Sequence, residues 1–473
     1  LIFFLFLVDA TDFDNKFLNR SKIEISYIHL NSRHSYRFAD FLKKNYLNFY
    51  KTFFNDKYNK RWSVEDKERR QKLPKYKILK AKKENLSKQL YSSNDYENEK
   101  NWSRSHGNYF STRFSNLKKI NKDNVTKLEL AWIYQPKESS KFKKENQANI
   151  IYFKGKVFLP DVENNLVSLN AKNGKIIWKY KVDEGIAAKR GLLLYRDDLN
   201  DNNGRILFTN NRNYLFSVDT DGKPTKNFGV DGKVKIGLTP LPPVVYKNEI
   251  IVITTDNVIK SFNLYDGKIN WKYKVNQTKN NLLYPNFTKG SPWGGLSLDV
   301  KRGLLFFTTG NPEPWHVGIY RDGDNLYANS LVAFDLNQKI IKWYFQEIPH
   351  DVWNYDLAAP PILTMIKRNG KNIDAVVAVS KLGNVIVLDR VSGVPLFDIN
   401  YRLAPSSNIP GERTADYQVD INLPEKICRS EFKKEHLTEF DEKFRQTFVD
   451  EIKNYSFGYP APPQIGKKTI QIG

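Results

Sequence analysis

The sequence contains a single cysteine, Cys428, among its 473 residues. One cysteine excludes a disulfide within the chain, a cysteine-based metal site and a covalently attached c-type haem. Apolar runs long enough to span a bilayer are also missing, because the first eight residues, Leu-Ile-Phe-Phe-Leu-Phe-Leu-Val, are too few. Those eight residues are typical of the end of a secretory signal peptide, and a buried strand is the alternative interpretation.

Acidic residues are outnumbered: 75 Lys and Arg stand against 52 Asp and Glu, which gives a formal net charge of +23. Such a charge would suit nucleic acid or an anionic membrane. The basic residues are nevertheless mixed with acidic ones, and only residues 57–89 form a basic run. A run of this kind is more typical of a solvated helix face. Since no nucleic-acid-binding motif accompanies it, we predict no nucleic-acid partner.

The composition and the hydrophobic pattern of the sequence change near residue 100. Residues 11–97 are rich in Lys, Asn, Phe and Tyr, with helical patterns around 36–56 and 64–90. From about Asn101 the chain consists of short β-rich runs separated by Asn, Asp and Gly, which is typical of an all-β protein. We therefore predict a signal remnant and partly helical extension of unknown role over 1–97, and an all-β domain over 98–473.

A weak internal repeat runs through the predicted β domain. Residues 167–178, Val-Ser-Leu-Asn-Ala-Lys-Asn-Gly-Lys-Ile-Ile-Trp, are echoed by residues 259–271. Each unit has a strand, a turn that needs a positive φ, and a strand ending in a large aromatic residue. The turn glycines are Gly174, Gly222, Gly267 and Gly393, and the aromatic residues are Trp178, Phe228, Trp271, Trp343 and Phe397. We expect each aromatic side chain to pack between neighbouring sheets.

The spacing of these units predicts a β-propeller. Most of the aromatic residues follow one another at 43–54 residues, and one interval is 72 residues. Such periods, with about four strands each, are typical of propeller blades. A propeller closes its ring to remove edge strands. The five visible units therefore imply either blades without a clear signature or blades missing at the C-terminal end.

Three segments carry residues suited to cofactor chemistry. Residues 291–295 read Ser-Pro-Trp-Gly-Gly, residues 309–312 read Thr-Gly-Asn-Pro, and residues 350–356 read His-Asp-Val-Trp-Asn-Tyr-Asp. An aromatic plate, an amide oxygen and carboxylates in this order suit a flat, anionic cofactor bound with a metal ion. The alternatives are a core tryptophan between blades and a plain turn before Pro312.

The sequence resembles the pyrroloquinoline quinone (PQQ)-dependent dehydrogenases, especially the membrane glucose and quinate dehydrogenase branch. The resemblance rests on Trp102-Ser-Arg-Ser-His-Gly-Asn, Arg113-Phe-Ser-Asn-Leu, Leu130-Ala-Trp, Arg190-Gly, the three segments above and residues 381–390, all in the order of the family. It implies an all-β, eight-bladed β-propeller of quinoprotein type, incomplete here because its final blades are missing. It also implies a periplasmic protein, in some members associated with the inner membrane, that passes electrons to a quinone or cytochrome.

The resemblance also implies the roles of individual residues. Trp293 would be the aromatic floor under PQQ, and Arg190 and Lys381 would contact its oxygen atoms; a surface Arg or Lys is the alternative. Asn311, the Asp256–Asn257 pair and Asp356 would be metal ligands, although Asp-Asn is also common in hairpin turns. Oxygen ligands of this type suit Ca²⁺, Mg²⁺ or a lanthanide ion.

The catalytic base of the family is a carboxylate directly after the tryptophan of the His-Asp-x-Trp-Asp motif, where this chain has Asn354. A neutral amide cannot accept a hydroxyl proton. Asp356 lies two residues further on, on the same face if the segment is extended, so we expect Asp356 to act as base beside Asn354. His350 and Asp351 are predicted to have structural roles.

Two functions remain open from the sequence. The first is oxidation of an alcohol, sugar or polyol by hydride transfer to a metal-polarised quinone. The second is a degenerate, non-catalytic propeller that acts as a binding or scaffold protein, which Asn354 favours. Ala187-Ala188 stand where family members often have cysteine, and Ile186 replaces a histidine of the glucose enzymes. The latter change weakens glucose as the substrate.

Overall fold

The computed structural model describes residues 63–470, except 85, 93–94, 96–101, 137–146, 183–184, 198–202, 276–289 and 438–440. The predicted signal remnant and the helical pattern around 36–56 lie outside the described residues. None of the helices in the described ranges is long and apolar enough to cross a membrane.

Short β-strands dominate the structure. The described residues contain two α-helices, α1 (Lys67–Gln71) and α2 (Glu442–Glu451). The strands are β1 (Tyr76–Leu79), β2 (Ile151–Phe153), β3 (Lys156–Pro160), β4 (Asn165–Asn170), β5 (Ile176–Lys181), β6 (Leu193–Tyr195), β7 (Arg205–Thr209), β8 (Tyr214–Asp219), β9 (Lys233–Lys235), β10 (Val244–Tyr246), β11 (Glu249–Ile253), β12 (Val258–Asn263), β13 (Ile269–Lys274), β14 (Pro292–Asp299), β15 (Leu304–Thr309), β16 (Ser330–Asp335), β17 (Ile340–Gln346), β18 (Ile362–Arg368), β19 (Lys371–Val379), β20 (Val385–Asp389), β21 (Ile399–Leu403), β22 (Tyr417–Val419), β23 (Tyr455–Ser456) and β24 (Lys468–Thr469).

Most of the strands form successive antiparallel sheets of consecutive strands, and β23 and β24 form a separate parallel pair. Four of the sheets have four strands each, in the orders β2–β5, β6–β9, β10–β13 and β14–β17. A three-stranded sheet, β18–β20, follows, and a further sheet has the order β1–β21–β22. Buried apolar clusters join neighbouring sheets, as between β10–β13 and β14–β17. This arrangement confirms the predicted all-β propeller, whereas the number of eight blades stays a prediction.

The prediction of helix over residues 64–90 is wrong except for the short helix α1. Asp66 caps this short helix by accepting hydrogen bonds from the backbone N–H groups of Glu68 and Arg69. Beyond it the chain extends as β1, which pairs antiparallel with β21. All four side chains of β1 are exposed, so the strand has no apolar alternation, and only pairing with a distant strand defines it. The domain boundary at residue 97 stays a prediction.

The turns of the repeat are as the sequence predicts, whereas the expected strands ending in Phe228 and Phe397 are wrong, because both residues lie outside strands. The four turn glycines have φ values of 69°, 87°, 73° and 72°, a region that glycine occupies without a steric cost. A Cβ atom on Gly222 would lie 2.7 Å from Trp178, and one on Gly393 would lie 2.5 Å from Trp343. The closing aromatic residue of one sheet thus packs on the turn of the next sheet, and only a glycine permits that approach.

The segment at residues 102–111 passes along the inside of the sheets. Its backbone forms hydrogen bonds with the first strands of several sheets, since Trp102 N donates to Tyr152 O at 3.1 Å and Leu298 N donates to Tyr109 O at 2.8 Å. Leu363 N donates to Phe110 O at 2.9 Å. The first strands β2, β14 and β18 therefore surround one segment, and the residues at their ends can meet.

Candidate cofactor and active site

Asp356 is the point where the predicted site segments meet. The indole Nε1–H of Trp293 donates to Asp356 Oδ2 at 2.7 Å. The Lys381 ammonium donates to Asp356 Oδ1 at 3.1 Å and to the carbonyl oxygen of Asn354 at 2.9 Å. The backbone N–H of Asn311 lies 3.4 Å from Asp356 Oδ2. Residues predicted separately from four segments thus form one cluster around a buried carboxylate.

Glycine residues make the close approach of these segments possible. The pairing of β14 with β15 is irregular between Pro292 and Leu296, at Gly294 and Gly295. A Cβ atom on Gly310 would lie 2.6 Å from Asp356 Oδ2 and 2.8 Å from Trp293 Nε1. Any side chain at Gly310 would therefore displace the hydrogen bond between the indole and the carboxylate.

The loop that carries Asn354 and Asp356 is a turn and not an extended segment. Fully buried Asp351 accepts hydrogen bonds from the backbone N–H groups of Trp353 at 2.7 Å and Tyr355 at 2.8 Å. These bonds curl the chain, and Asn354 has a φ of 68°. The segment is therefore not extended, so the condition for placing Asp356 on the face of Asn354 by spacing alone is not met, whereas the structural role of Asp351 is confirmed.

Asn354 and Asp356 nevertheless face the same partner, Asn311. One terminal atom of the Asn311 side-chain amide lies 2.9 Å from both carboxylate oxygens of Asp356 and 3.2 Å from Asn354 Oδ1. If that atom is nitrogen, it donates to these oxygens. If it is oxygen, several hard oxygen atoms converge, and only a cation between them would make that arrangement favourable. The oxygens of Asp356 and Asn354 are of the type that a hard metal ion prefers, but the described residues contain no group of three or more His, Cys, Asp or Glu side chains placed to hold one.

The face of Trp293 carries a planar cationic group. The guanidinium carbon of Arg190 lies 4.5 Å from the centroid of the indole ring, a distance typical of a cation–π contact. Burial lowers the pKa of Arg190, and within the described ranges no carboxylate forms an ion pair with it. An indole that accepts a flat group, with the cations Arg190 and Lys381 beside it, fits a planar cofactor bearing carboxylates.

Asp256 and Asn257 lie in the hairpin between β11 and β12, where Asn257 has a φ of 61°. Asp256 is exposed, and its Oδ1 accepts from Thr254 Oγ1 at 2.5 Å. The hairpin borders the cluster, because Ser291 Oγ donates to Thr255 O at 2.6 Å. In the part of the chain that the structure describes, no hydrogen bond or ion pair joins Asp256 to Asn311 or Asp356. Metal binding by this pair stays a prediction.

Sequence reasoning missed Glu412, which anchors the loop after Asn311. Glu412 Oε1 lies 2.7 Å from His350 Nε2, and Glu412 Oε2 accepts from Gly318 N at 2.8 Å. Burial acts to raise the pKa of Glu412, but the hydrogen bond from His350 and the charge of Arg321 outweigh it and lower the pKa. The predicted structural role of His350 is confirmed. No local motif marks Glu412, since its partners are distant in sequence.

A second buried acid, Glu347, lies just before the loop and was also missed. Its side chain is fully buried, and Oε1 accepts a hydrogen bond from Asn384 Nδ2 at 2.7 Å. Burial raises the pKa of Glu347 to about 7, with the hydrogen bonds from Ser380 and Asn384 acting in the opposite direction. The nearby charge of Asp351 adds to the increase. A carboxyl group that titrates near neutral pH therefore lies behind the site loop.

In this propeller the indole of Trp293, the cations Arg190 and Lys381 and the buried carboxylate of Asp356 lie together. Residues 102–472 match the family described as "PQQ: Glucose/ethanol/alcohol dehydrogenase, beta-propeller domain". The matched segment is well over half of the chain, and the chain belongs to this family of PQQ-dependent dehydrogenases.

Individual relatives are distant and longer. The glycerol dehydrogenase large subunit of Gluconobacter thailandicus is 25% identical over 360 residues, which cover 66% of this chain and 48% of that protein. The quinate/shikimate dehydrogenase (quinone) of Acinetobacter baylyi is 27% identical over 382 residues, covering 69% and 47%. The chain thus spans about half the length of the curated relatives it matches.

A solved structure supports the fold. The quinohemoprotein alcohol dehydrogenase from Comamonas testosteroni superposes with a TM-score of 0.50 at 22% identity, covering 64% of this chain and 49% of that chain. At this identity the likeness shows the fold alone. The recognition of the family and the predicted propeller of quinoprotein type are confirmed.

Proposed function

We propose that this protein oxidises the CH–OH group of an alcohol, sugar or polyol with PQQ as cofactor. The family supports the general reaction, and one observation carries the assignment of the site. Asp356 accepts hydrogen bonds from Trp293 and Lys381 at the point where Asn311 and Asn354 converge. When bound, PQQ supplies a quinone that accepts hydride from the substrate carbon.

Each residue of the cluster has a distinct part in holding the cofactor and a metal ion. The Trp293 indole offers a face for the planar rings, and the cations Arg190 and Lys381 pair with carboxylate or quinone oxygens. The side-chain oxygens of Asn311 and Asp356 are ligands that suit Ca²⁺, Mg²⁺ or a lanthanide ion. Asp256 and Asn257 would complete this set only if their hairpin contributes oxygens from the side of β12.

The proton of the substrate hydroxyl goes to Asp356 in this proposal. A carboxylate can accept that proton, whereas the amide of Asn354 can only donate or accept a hydrogen bond. Lys381 and Trp293 each donate a hydrogen bond to one oxygen of Asp356, which holds the carboxylate in place. Asn354, 3.2 Å from the Asn311 amide, would orient the hydroxyl group.

Dye reduction by the PQQ-loaded protein tests the proposal. The purified protein is loaded with PQQ and Ca²⁺, loading is checked by absorbance, and reduction of an artificial electron acceptor is followed over a panel of alcohols, sugars and polyols. Asp356→Asn should lower the rate about 10²–10⁴-fold, the usual contribution of a general base. Asp221→Asn is the matched control, because Asp221 also pairs with a lysine at 2.9 Å but lies exposed at the surface. Absence of reduction with every substrate, despite confirmed loading, would refute the proposed activity.

A non-catalytic propeller is the second candidate, and the amide at position 354 favours it. The variant Asn354→Asp separates the two functions, since it restores a carboxylate next to Trp353. If the natural protein is inactive and Asn354→Asp creates turnover, the natural protein is a binding or scaffold protein. If the natural protein already turns over and Asn354→Asp changes the rate less than threefold, Asp356 is sufficient as the base.

The electron acceptor and the location are part of the proposal. We propose that electrons pass to a membrane quinone or a separate cytochrome, because the single cysteine leaves no covalent haem site in this chain. The apolar residues 1–8 support export to the periplasm, and association with the inner membrane is proposed from the resemblance to the membrane branch of the family. Fractionation of cells that express the natural protein tests this location, and recovery only with cytosolic markers would contradict it.

A further inference from the structure

The turn between β19 and β20 carries Lys381, and hydrogen bonds within the turn join its two ends. Gly383 N donates to Ser380 O at 3.0 Å, and Ser380 N donates to Asn384 O at 3.2 Å. The ammonium of Lys381 extends from this turn to Asp356. The position of the ammonium in the candidate site therefore depends on how firmly the turn is held.

Glu347 binds both ends of this turn from the preceding sheet. Its Oε1 accepts a hydrogen bond from Asn384 Nδ2 at 2.7 Å, and its carboxyl group also accepts one from the Ser380 side chain. Glu347 and Asn384 are 0% exposed, and Ser380 is 9% exposed. Two hydrogen bonds from the ends of one turn to one buried carboxyl group define the orientation of that turn. Lys381 lies in the sequence between the two donors.

The main chain of Glu347 is attached to the other side of the candidate site. Glu347 N donates to Asn329 O at 2.9 Å. The side-chain amide of Asn329 in turn donates to Asp351 Oδ2 at 2.9 Å and to Tyr355 O at 2.8 Å. The loop that begins at Asp351 and the turn between β19 and β20 are thus connected through one residue, which fixes their relative position.

The charged and titratable groups that act on Glu347 come from separate segments. Asp351 lies in the site loop, Lys426 in the segment after β22, and Tyr459 in the segment after β23. The Lys426 ammonium donates to Asp420 Oδ1 at 2.7 Å, so part of its charge is already paired. Burial raises the pKa of Glu347 to about 7; the charge of Asp351 adds to the increase, and that of Lys426 opposes it. The carboxyl group at the base of the turn therefore changes its charge near neutral pH.

We propose that Glu347 is a positioning residue for Lys381, and that its ionised form orients the Lys381 ammonium toward the carboxylates of the cofactor. An ionised carboxylate accepts the hydrogen bonds of Ser380 and Asn384 more strongly than a neutral carboxyl group does. The turn is therefore held more firmly when Glu347 is charged, although ionisation of this buried group lowers the stability of the whole fold. The inference rests on the proposed function, because it takes Lys381 to contact PQQ.

Equilibrium dialysis of PQQ in saturating Ca²⁺ tests the inference. The dissociation constant is measured between about pH 5.5 and pH 8.5 for the natural protein and for Glu347→Gln, which keeps the shape of the side chain and removes its titration. We expect equal constants near pH 5.5 and binding about fivefold weaker in the variant near pH 8.5, because a charged acceptor forms the stronger hydrogen bonds. Identical pH profiles, or a variant that binds PQQ more tightly than the natural protein near pH 8.5, would overturn the inference.

Two further variants separate positioning from packing. Glu412→Gln is the matched control: Glu412 is 2% exposed and, among the described residues, contacts His350 and Gly318 instead of the turn. This variant should keep the change of PQQ affinity near pH 7. In a Lys381→Ala background, Glu347→Gln should have no further effect on PQQ affinity, because the effect of Glu347 passes through Lys381. Loss of the pH dependence in Glu412→Gln, or an effect of Glu347→Gln that persists without Lys381, would contradict the proposed role.

Hydrogen exchange of the cofactor-free protein gives a readout that needs no PQQ. The backbone amides of Leu382 and Gly383 donate to Ser380 within the turn, at 3.2 Å and 3.0 Å. With β4 as the internal control, both amides should exchange about fivefold faster in Glu347→Gln than in the natural protein near pH 8.5, and equally fast near pH 5.5. This change is opposite in sign to the effect of the variant on the whole fold, so a purely structural role would not produce it.

The two readouts distinguish failure of the inference from failure of the proposed function. Equal exchange of the turn amides at both pH values would overturn the positioning role of Glu347, whether or not PQQ binds. The expected exchange difference in a protein that binds no PQQ would support the hold of Glu347 on the turn and refute the proposed function. Dye reduction by the PQQ-loaded protein, with PQQ affinity and turn exchange unaffected by Glu347→Gln, would refute this inference alone.

Discussion

Between about pH 4.5 and pH 7, the pH dependence of the free energy of unfolding should be dominated by Glu347. This side chain is fully buried, and its Oε1 accepts a hydrogen bond from Asn384. Burial raises its pKa from the ordinary value of 4.5 to about 7. Replacing it by glutamine keeps the shape and the Asn384 contact but removes the titration.

The magnitude and the sign follow from the shift. The unfolded chain loses the Glu347 proton near pH 4.5, whereas the folded protein keeps it until about pH 7. The folded state therefore binds the extra proton between these values, and stability falls as the pH rises through the window. Each pKa unit of this shift corresponds to about 1.4 kcal/mol. Ionisation of the buried carboxylate therefore lowers the free energy of unfolding by about 3 kcal/mol at pH 8 relative to pH 4.

Guanidinium chloride denaturation of the natural protein and Glu347→Gln between pH 4 and pH 8.5 measures this effect. The two free energies of unfolding should be similar near pH 4, and Glu347→Gln should be about 3 kcal/mol more stable near pH 8. Other groups titrate in both proteins, so the difference isolates position 347. A difference that is constant across the whole range would refute the reasoning.

Three further outcomes are expected. Gly393→Ala should lower the free energy of unfolding by about 3 kcal/mol in thermal or chemical denaturation, because the added Cβ would clash with Trp343. Gly370→Ala is the control: Gly370 has a similar φ but nothing within 4 Å of the added Cβ, so its loss should be only about 1 kcal/mol. Equal losses would exclude the tryptophan contact as the cause. Trp293→Leu should weaken PQQ binding about tenfold in equilibrium dialysis through lost ring stacking, and an unchanged affinity would remove Trp293 as the floor. Asn311→Ala should raise the Ca²⁺ concentration needed for half-maximal binding of PQQ, as the loss of an oxygen ligand requires; an unaltered Ca²⁺ dependence would mean that Asn311 is no ligand.

The glycine turns of the repeat could be predicted from the sequence because each depends on residues that are close together in the chain or that recur at a fixed spacing. A glycine such as Gly222 is required by a positive φ and by one neighbouring indole, so turn and aromatic residue recur together. The sequence also assigned Trp293, Asn311 and Lys381 to one candidate site, because each lies at a strand end and its motif stands in family order; their roles stay a prediction. The structure shows that Trp293 and Lys381 both donate hydrogen bonds to the carboxylate of Asp356.

What the sequence did not predict depends on distant partners. The all-exposed strand β1 has no pattern of its own and exists through pairing with β21. The acids Glu347 and Glu412 are ordinary residues in sequence and become unusual only through burial by remote segments. The turn at Asn354 arises because Asp351 accepts two backbone N–H groups, which overrides the extended conformation expected from spacing alone.

The pairing of β1 with β21 has a consequence for biosynthesis. Tyr76 lies opposite Arg402 in that sheet, and Arg69 forms an ion pair with Asp416, 347 positions later in the chain. During translation β1 therefore has no partner until residues 399–403 have left the ribosome. Contacts of such separation are slow to form, and chaperone binding to residues 63–79 of the nascent chain would protect them during that interval.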